Sequence, residues 1–200
     1  MRTLRITNPQ AVYDEPVTLT EVENYLALAT LTPRDEDRDF LIKTLISGAR
    51  QQAEILQNRD LVTKGWDLYL DRFPGTADPV KLRADLVSVS KVQYKDSTGS
   101  PTTLTENTDY IVDVNQQPGV IVPAYGKVWP SFTAWPSSPI LIQFTSGMST
   151  VPEIIQTGML RLISEWFNNR LPFEVGSSAI QEYPYAVTAA LRFKSLRSFG

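Results

Sequence analysis

The chemistry open to this chain is that of carboxylates, lysines and tyrosines, because its 200 residues include no histidine and no cysteine. Without histidine there is no Ser-His-Asp triad, no imidazole metal ligand and no usual general base near neutral pH. Without cysteine there are no disulfides, thiolate zinc sites or thiol nucleophiles, which mildly favours a reducing compartment. Glu165 and Glu174 are the carboxylates that could form an acid/base pair of the glycosidase kind. Nothing in the sequence brings them together, and Glu165 fits equally well on the solvated side of a helix. Asp35, Glu36, Asp37 and Asp39 suggest a cation site. The same four acids complement a helix N-terminus, with Arg34 and Arg38 offsetting their charge. There is no phosphate-binding glycine loop, dinucleotide fingerprint or nucleophile elbow. The residues therefore predict a non-enzymatic protein with no catalytic, cofactor or metal site.

Two clusters suit contact better than catalysis. Trp129, Phe132 and Trp135 lie close together in a loop rich in proline and serine. Such a cluster can be a platform for sugars or peptides, a contact to a neighbouring subunit, or a pin that holds the loop to its own domain. The second cluster is the C-terminus, where Arg192, Lys194 and Arg197 are accompanied by no acid from Tyr183 to Gly200. Cations favour a helix C-terminus. Combined with Phe193 and Phe199 they also make a basic, aromatic tail of the kind that anchors an interface.

The elements that must position these residues are legible from periodicity and caps. Residues 1–16 read as an extended arm, broken by Pro9 and Pro16. Thr18 and Glu21 form a capping box ahead of an apolar face of Val22, Tyr25 and Leu26 that runs to about Leu28. A second helix starts at Thr32-Pro33-Arg34-Asp35 and carries Ile42, Leu45, Ile46, Ala49 and Ala53 at helical spacing until about Asn58. Gly48 and Ala49 either admit a neighbouring helix or are simply tolerated there.

After Gly65 the period changes to two. Trp66, Leu68 and Leu70 alternate with polar residues as a half-buried strand. Val87 to Tyr94 suggests a second strand, bulged near Ser90, with a turn at Asp96-Ser97-Thr98-Gly99 and a return from Thr102 to Leu104. Further strands are expected at Tyr110–Val114, Val120–Val122 and Ile140–Phe144. Helix returns with a capping box at Thr150-Val151-Pro152-Glu153 and an apolar face through Met159, Leu162, Ile163 and Trp166. A loop from Leu171 to Glu182 precedes a last helix from about Pro184 to Leu196. The expected fold is α+β: an antiparallel helical bundle of N- and C-terminal helices (residues 17–62 and 148–200) around a β-rich insertion (residues 63–147).

Composition bounds the partners. Apolar residues make up 42% of the chain, enough for a real core. A net charge of −3 and a pI near 5.1 disfavour a tight grip on DNA phosphates. The first ten residues lack a signal-peptide apolar stretch, and no run reaches the ~20 apolar residues of a membrane span, so a soluble chain without a membrane partner is expected.

Several stretches, in order, resemble the head–tail connector, or adaptor, proteins of tailed bacteriophages and gene transfer agents. They begin with Glu15-Pro16-Val17-Thr18-Leu19-Thr20-Glu21-Val22 and the helix from Asp39-Phe40-Leu41-Ile42-Lys43-Thr44-Leu45-Ile46 through Ala49-Arg50 to Asn58-Arg59. Trp66-Asp67-Leu68-Tyr69-Leu70-Asp71, Phe73-Pro74, Val87-Ser88-Val89, Asp109-Tyr110-Ile111-Val112-Asp113 and Gly126-Lys127-Val128-Trp129-Pro130 follow. Phe144-Thr145-Ser146-Gly147, Val151-Pro152-Glu153-Ile154-Ile155 and Trp166-Phe167-Asn168-Asn169-Arg170 complete the series. The likeness covers roughly residues 12–198, and the stretch after Arg170 departs from the pattern.

The resemblance implies a virion structural protein, made in a bacterial host's cytoplasm and placed in the neck of a phage or phage-like particle. It implies a ring of about twelve copies beneath the portal protein, with a stopper or tail-completion protein on the other side and DNA passing through without specific binding. Long helices would pack laterally between copies. The C-terminal segment would reach the portal, making Leu191, Arg192, Phe193, Lys194, Leu196, Arg197 and Phe199 the portal-binding candidates. Trp129, Phe132 and Trp135 are candidates for subunit or partner contact. The alternative reading is a carbohydrate- or peptide-binding module centred on those three aromatics. No cofactor is implied.

Overall fold

The computed structural model describes residues 2–8, 13–28, 35–169 and 185–192. They form a mixed α+β protein with antiparallel sheets and four helices, divided into two compact units. One unit draws on residues 1–13 and 62–148, the other on residues 14–61 and 149–200.

The second unit contains the helices. Thr18 caps α1 (Leu19–Tyr25) through the capping box its sequence predicts. The Thr18 hydroxyl accepts from the Glu21 N–H at 3.2 Å, and the Thr18 N–H donates to Glu21 Oε2 at 2.6 Å. Helix α2 (Glu36–Gln57) is capped by Asp35, whose carboxylate accepts from the N–H groups of Asp37 and Arg38. The expected start at Thr32 lies outside the described residues. Asp35 caps the helix because its side chain is a strong acceptor and adds a full negative charge at the positive helix end. At 1.5 Å per residue α2 is about 33 Å long, and it stops where Asn58 turns left-handed at φ 54°. Ile42, Ile46, Ala49 and Ala53 form its buried row.

Helix α3 (Glu153–Asn168) begins differently from the sequence expectation. Pro152 occupies the N-cap with no side-chain cap, and its carbonyl accepts from Ile155 and Gln156. A capping box from Thr150 would need Val151 to be helical, and the residue before a proline is driven out of that conformation by the proline ring. Helix α4 (Tyr185–Leu191) packs on α3, and α2 packs on α3 with Trp166 lying over Gly48. A Cβ at Gly48 would stand 3.4 Å from the Trp166 ring. That is an ordinary van der Waals contact, so the glycine is tolerated beside α3 and the packing does not require it.

The first unit holds the strands. β2 (Lys64–Leu70) and β8 (Ile140–Ser146) alternate buried and half-exposed residues along their whole length. They are two of the three inner strands of a five-stranded sheet completed by β1 (Arg2–Ile6), β4 (Leu86–Lys95) and β5 (Pro101–Leu104), in the order β1-β2-β8-β4-β5. The segment expected to be an arm is thus an edge strand over Arg2–Ile6, with Arg2 opposite Leu70 and Ile6 opposite Trp66. Leu4 and Ile6 pack against the core, while Arg5 lies over the Tyr69 ring. The β4–β8 register shifts between Leu86 and Ser88 and again between Val89 and Lys91, so the bulge expected near Ser90 is present with a second one before it. A smaller sheet of order β3-β7-β6 joins β3 (Val80–Lys81), β6 (Tyr110–Asp113) and β7 (Val120–Pro123). Its Ile121 and Tyr110 share one hydrophobic core with Leu68, Val92, Ile142 and Phe144 of the larger sheet.

Candidate assembly surfaces

The basic C-terminal segment starts from a buried seat. Leu191, the last residue of α4, is 1% exposed and lies against Gly158 of α3. A Cβ at position 158 would come within 2.9 Å of Leu191 Cδ2 and 3.2 Å of Ala190 Cβ. The Gln57 side-chain amide at the end of α2 donates to the Leu191 carbonyl. That carbonyl belongs to the last turn of a helix, where intrahelical donors run out. Arg192 follows at the surface, with its N–H on the Thr188 carbonyl at 2.9 Å. Phe193, Lys194, Leu196, Arg197 and Phe199 lie outside the described residues. Leu191 is therefore a core residue, and Arg192 is the first of the predicted docking residues to reach solvent.

Sequence reasoning missed Gly158 and Gln57. A glycine inside a strongly periodic helix was the available signal for the first. A glutamine on the buried row of α2, one turn beyond Ala53, was the signal for the second.

The same unit contains a buried ion network that periodicity alone does not reveal. Arg50 on α2 is 3% exposed. Its guanidinium contacts Glu15 at 2.8 Å and Glu54 at 3.0 Å, and the other Glu54 oxygen accepts from the Leu61 N–H at 3.1 Å. One cation thereby fixes the segment before α1, the body of α2 and the chain leaving it.

The tryptophan loop divides. Trp129 is 4% exposed; its ring stacks on Phe73, and its indole N–H donates to the Asp78 carbonyl at 2.8 Å. Phe132 is half-buried between Phe73 and Tyr94. Trp135, 41% exposed, stands apart over Gly99 in the turn between β4 and β5. The three aromatics form no common platform, and the ligand-binding alternative built on them loses its basis. Trp129 pins the loop because its face and its polar tip are already occupied by groups of its own domain.

Three of the carboxylates considered for chemistry, Asp35, Asp39 and Glu165, have structural partners, Asp39 lying 3.8 Å from Arg38. Asp35 caps α2, and Glu165 accepts from Asn169 Nδ2 at 2.6 Å. Glu174 lies outside the described residues. No group of three or more His, Cys, Asp or Glu among the described residues could hold a metal ion. Among the described residues, the carboxylates held below their ordinary range are in turns and caps. Glu21 is lowered by the Thr18 N–H and hydroxyl, Asp96 by the Thr98 hydroxyl and N–H, and Asp113 by the Gln116 amide and the Asn115 N–H. No helix of the described residues is long and apolar enough to cross a membrane.

The fold is that of chains from the neck of gene transfer agent particles. A chain from the neck of an empty particle, computed with C6 symmetry, matches with a TM-score of 0.73 over 99% of this chain and 98% of that chain, at 20% identity. A chain from a native gene transfer agent virion matches at 0.70 over 98% and 97%, again at 20% identity. A third, from the neck of a native particle computed with C12 symmetry, matches at 0.56 over 95% and 98% with 20% identity. No protein-family model and no curated protein matches the chain. The sequence resemblance to head–tail connectors and the shared fold point the same way.

Proposed function

We propose that the chain is a non-enzymatic structural subunit of a head–tail connector, located in the neck of a phage or phage-like particle. The observation that carries this reading is the likeness along nearly the full length of both chains to a protein of a particle neck. In this reading about twelve copies form a ring beneath a portal protein, and the ring extends the DNA channel toward a stopper or tail-completion protein. The helices of residues 17–62 and 148–200 act as an antiparallel bundle that packs laterally between copies, with residues 63–147 as a β-rich insertion. The chain's net negative charge suits a channel wall, because a repelled duplex slides where an attracted one is held.

The portal contact is assigned to the segment that follows the seat of Leu191: Arg192, Phe193, Lys194, Leu196, Arg197 and Phe199. Leu191 itself acts as the anchor of that segment. Trp135, exposed beside the Gly99 turn, is the member of the aromatic trio assigned to partner contact, and Trp129 and Phe132 serve to pin the loop to its own domain.

The test is deletion of residues 193–200, which leaves the Leu191 anchor in place. Capture on immobilised portal protein should be lost while the thermal midpoint is unchanged; undiminished capture sinks the tail assignment. Native mass spectrometry of the full chain with assembled portal should show about one copy per portal subunit. A single bound copy would overturn the ring.

A further inference from the structure

The strand unit carries a cleft of about 880 Å³ walled by Arg2 and Leu70, which face each other across the β1–β2 pair, and by residues 72–75 and 78–81. β1 is an edge of the larger sheet and β3 an edge of the smaller one, so the cleft lies between two sheet edges. Arg2 spans it, with Nη2 donating to the Lys81 carbonyl at 2.6 Å. The wall is apolar at Phe73, Pro74 and Val80 and cationic at Arg2, Arg72 and Lys81, with Asp78 as its one acid. None of these three cations forms an ion pair among the described residues, and burial lowers the pKa of the Arg2 guanidinium. A local cationic excess on an acidic chain is a specific feature of this face.

A second feature stands next to it. Residues 124–127 form a β-turn closed by the Lys127 N–H on the Ala124 carbonyl at 2.8 Å, with Gly126 at φ 74° in the position that favours glycine. The turn presents Tyr125 fully exposed, followed by Val128 at 58% exposure. Trp129 ties this turn to the cleft wall, through its N–H on the Thr76 carbonyl at 2.9 Å and its indole N–H on the Asp78 carbonyl. An aromatic and an aliphatic side chain are thus held in solvent by a short, braced turn, so little ordering remains to be done when they are covered.

We propose that this face docks an extended, acidic segment of another protein that carries apolar side chains between its carboxylates. Arg72 and Lys81 select carboxylates, and the apolar wall with Tyr125 and Val128 accepts the side chains between them. The sheet edges offer main-chain hydrogen bonds to an extended strand. Duplex DNA supplies anionic phosphates with no apolar counterpart for Tyr125 and Val128, and the chain's net charge opposes it at long range. The inference is independent of the neck reading, since it specifies a partner's chemistry from the strand unit alone.

The test uses the full chain and a fluorescein-labelled decapeptide alternating Glu with Leu and Phe, read by anisotropy. The peptide should bind, and binding should weaken about tenfold in the Arg72→Glu/Lys81→Glu double variant and on raising salt from about 50 to about 300 mM. Tyr125→Ala should weaken it about fivefold with an unchanged thermal midpoint, since the side chain touches solvent only. A matching peptide with Lys in place of Glu should not bind. Equal affinity of the charge-reversed variant, absence of peptide binding, or binding of a 20-base-pair duplex (roughly two helical turns) in place of the peptide would overturn the proposal. Both substituted cations are exposed, and circular dichroism of the double variant verifies that the fold is retained.

Discussion

Trp129 and Phe73 stack face to face, with ring centroids 4.5 Å apart and planes inclined by 1°. Phe73 sits just beyond β2 and Trp129 in the loop that precedes β8, so this one contact closes a long excursion of chain onto the sheet core. Trp129→Phe should keep a ring on Phe73 but lose the indole bond to Asp78, at a cost of about 1–2 kcal/mol. Trp129→Ala should cost about 3–5 kcal/mol. Urea denaturation followed by circular dichroism orders the two variants, and equal stability of both with the parent would show that the stack is not holding the loop.

The seat of α4 makes a prediction of opposite logic, since here a residue must be absent. Gly158→Val should drive a side chain into Leu191 and Ala190 and cost about 1–3 kcal/mol through overpacking. Leu191→Ala should cost about 2–5 kcal/mol by opening a cavity at the same place. Hydrogen exchange across Tyr185–Leu191 should accelerate in both variants, and amide protection in β2 and β8 should be retained.

Arg50 is the test of the buried network. Arg50→Ala removes the cation that Glu15 and Glu54 both contact and should destabilise the helical unit by about 3–5 kcal/mol. Adding Glu54→Gln to that variant should recover part of the loss. Arg50→Lys cannot reach Glu15 and Glu54 with one planar group and should fall between parent and alanine. Thermal melts of the parent, Arg50→Ala, Glu54→Gln and the double variant close the cycle; strict additivity would remove the coupling.

Acid sensitivity follows from Glu21, Asp96 and Asp113. Their folded pKa values lie below the ordinary 4.5 and 3.8, so the folded state prefers their charged forms. The stability they contribute is fully present above those ordinary values and is lost as pH falls through the depressed folded ones. All three face solvent, so each contributes little. Thermal midpoints should be flat between about pH 7 and about pH 5 and decline below about pH 4. Thr18→Val and Thr98→Val together should make that acid limb shallower, and an unchanged limb would contradict the assignment to these turns.

The sequence exposed what depends on local chemistry. Alternation marked β2 and β8 because one face of each is buried and the other is not. The capping box at Thr18 and the bulge near Ser90 were equally legible, since both are written in a few adjacent residues. β1 was not, because Arg2 and Arg5 disguise a strand whose inward residues are only Leu4 and Ile6. The capping box at Thr150 failed because proline geometry at Val151–Pro152 outranks cap preference. The site residues show the same division. Trp129, Phe132 and Trp135 look alike in sequence, and only tertiary neighbours separate the buried stack on Phe73 from the exposed ring over Gly99. Gly158 and Gln57 stood out only as a glycine and a glutamine on apolar helix rows, since what gives them importance is their contact with α4.

The two compact units are assembled from interleaved stretches, and the chain passes between them at residues 13–14, 61–62 and 148–149. They are consequently joined by three covalent tethers where a simple two-domain protein has one. A single proteolytic nick at any crossing leaves the halves connected by the other two. Tension applied between the units divides over three lengths of main chain, and no cut at a single point separates one unit from the other.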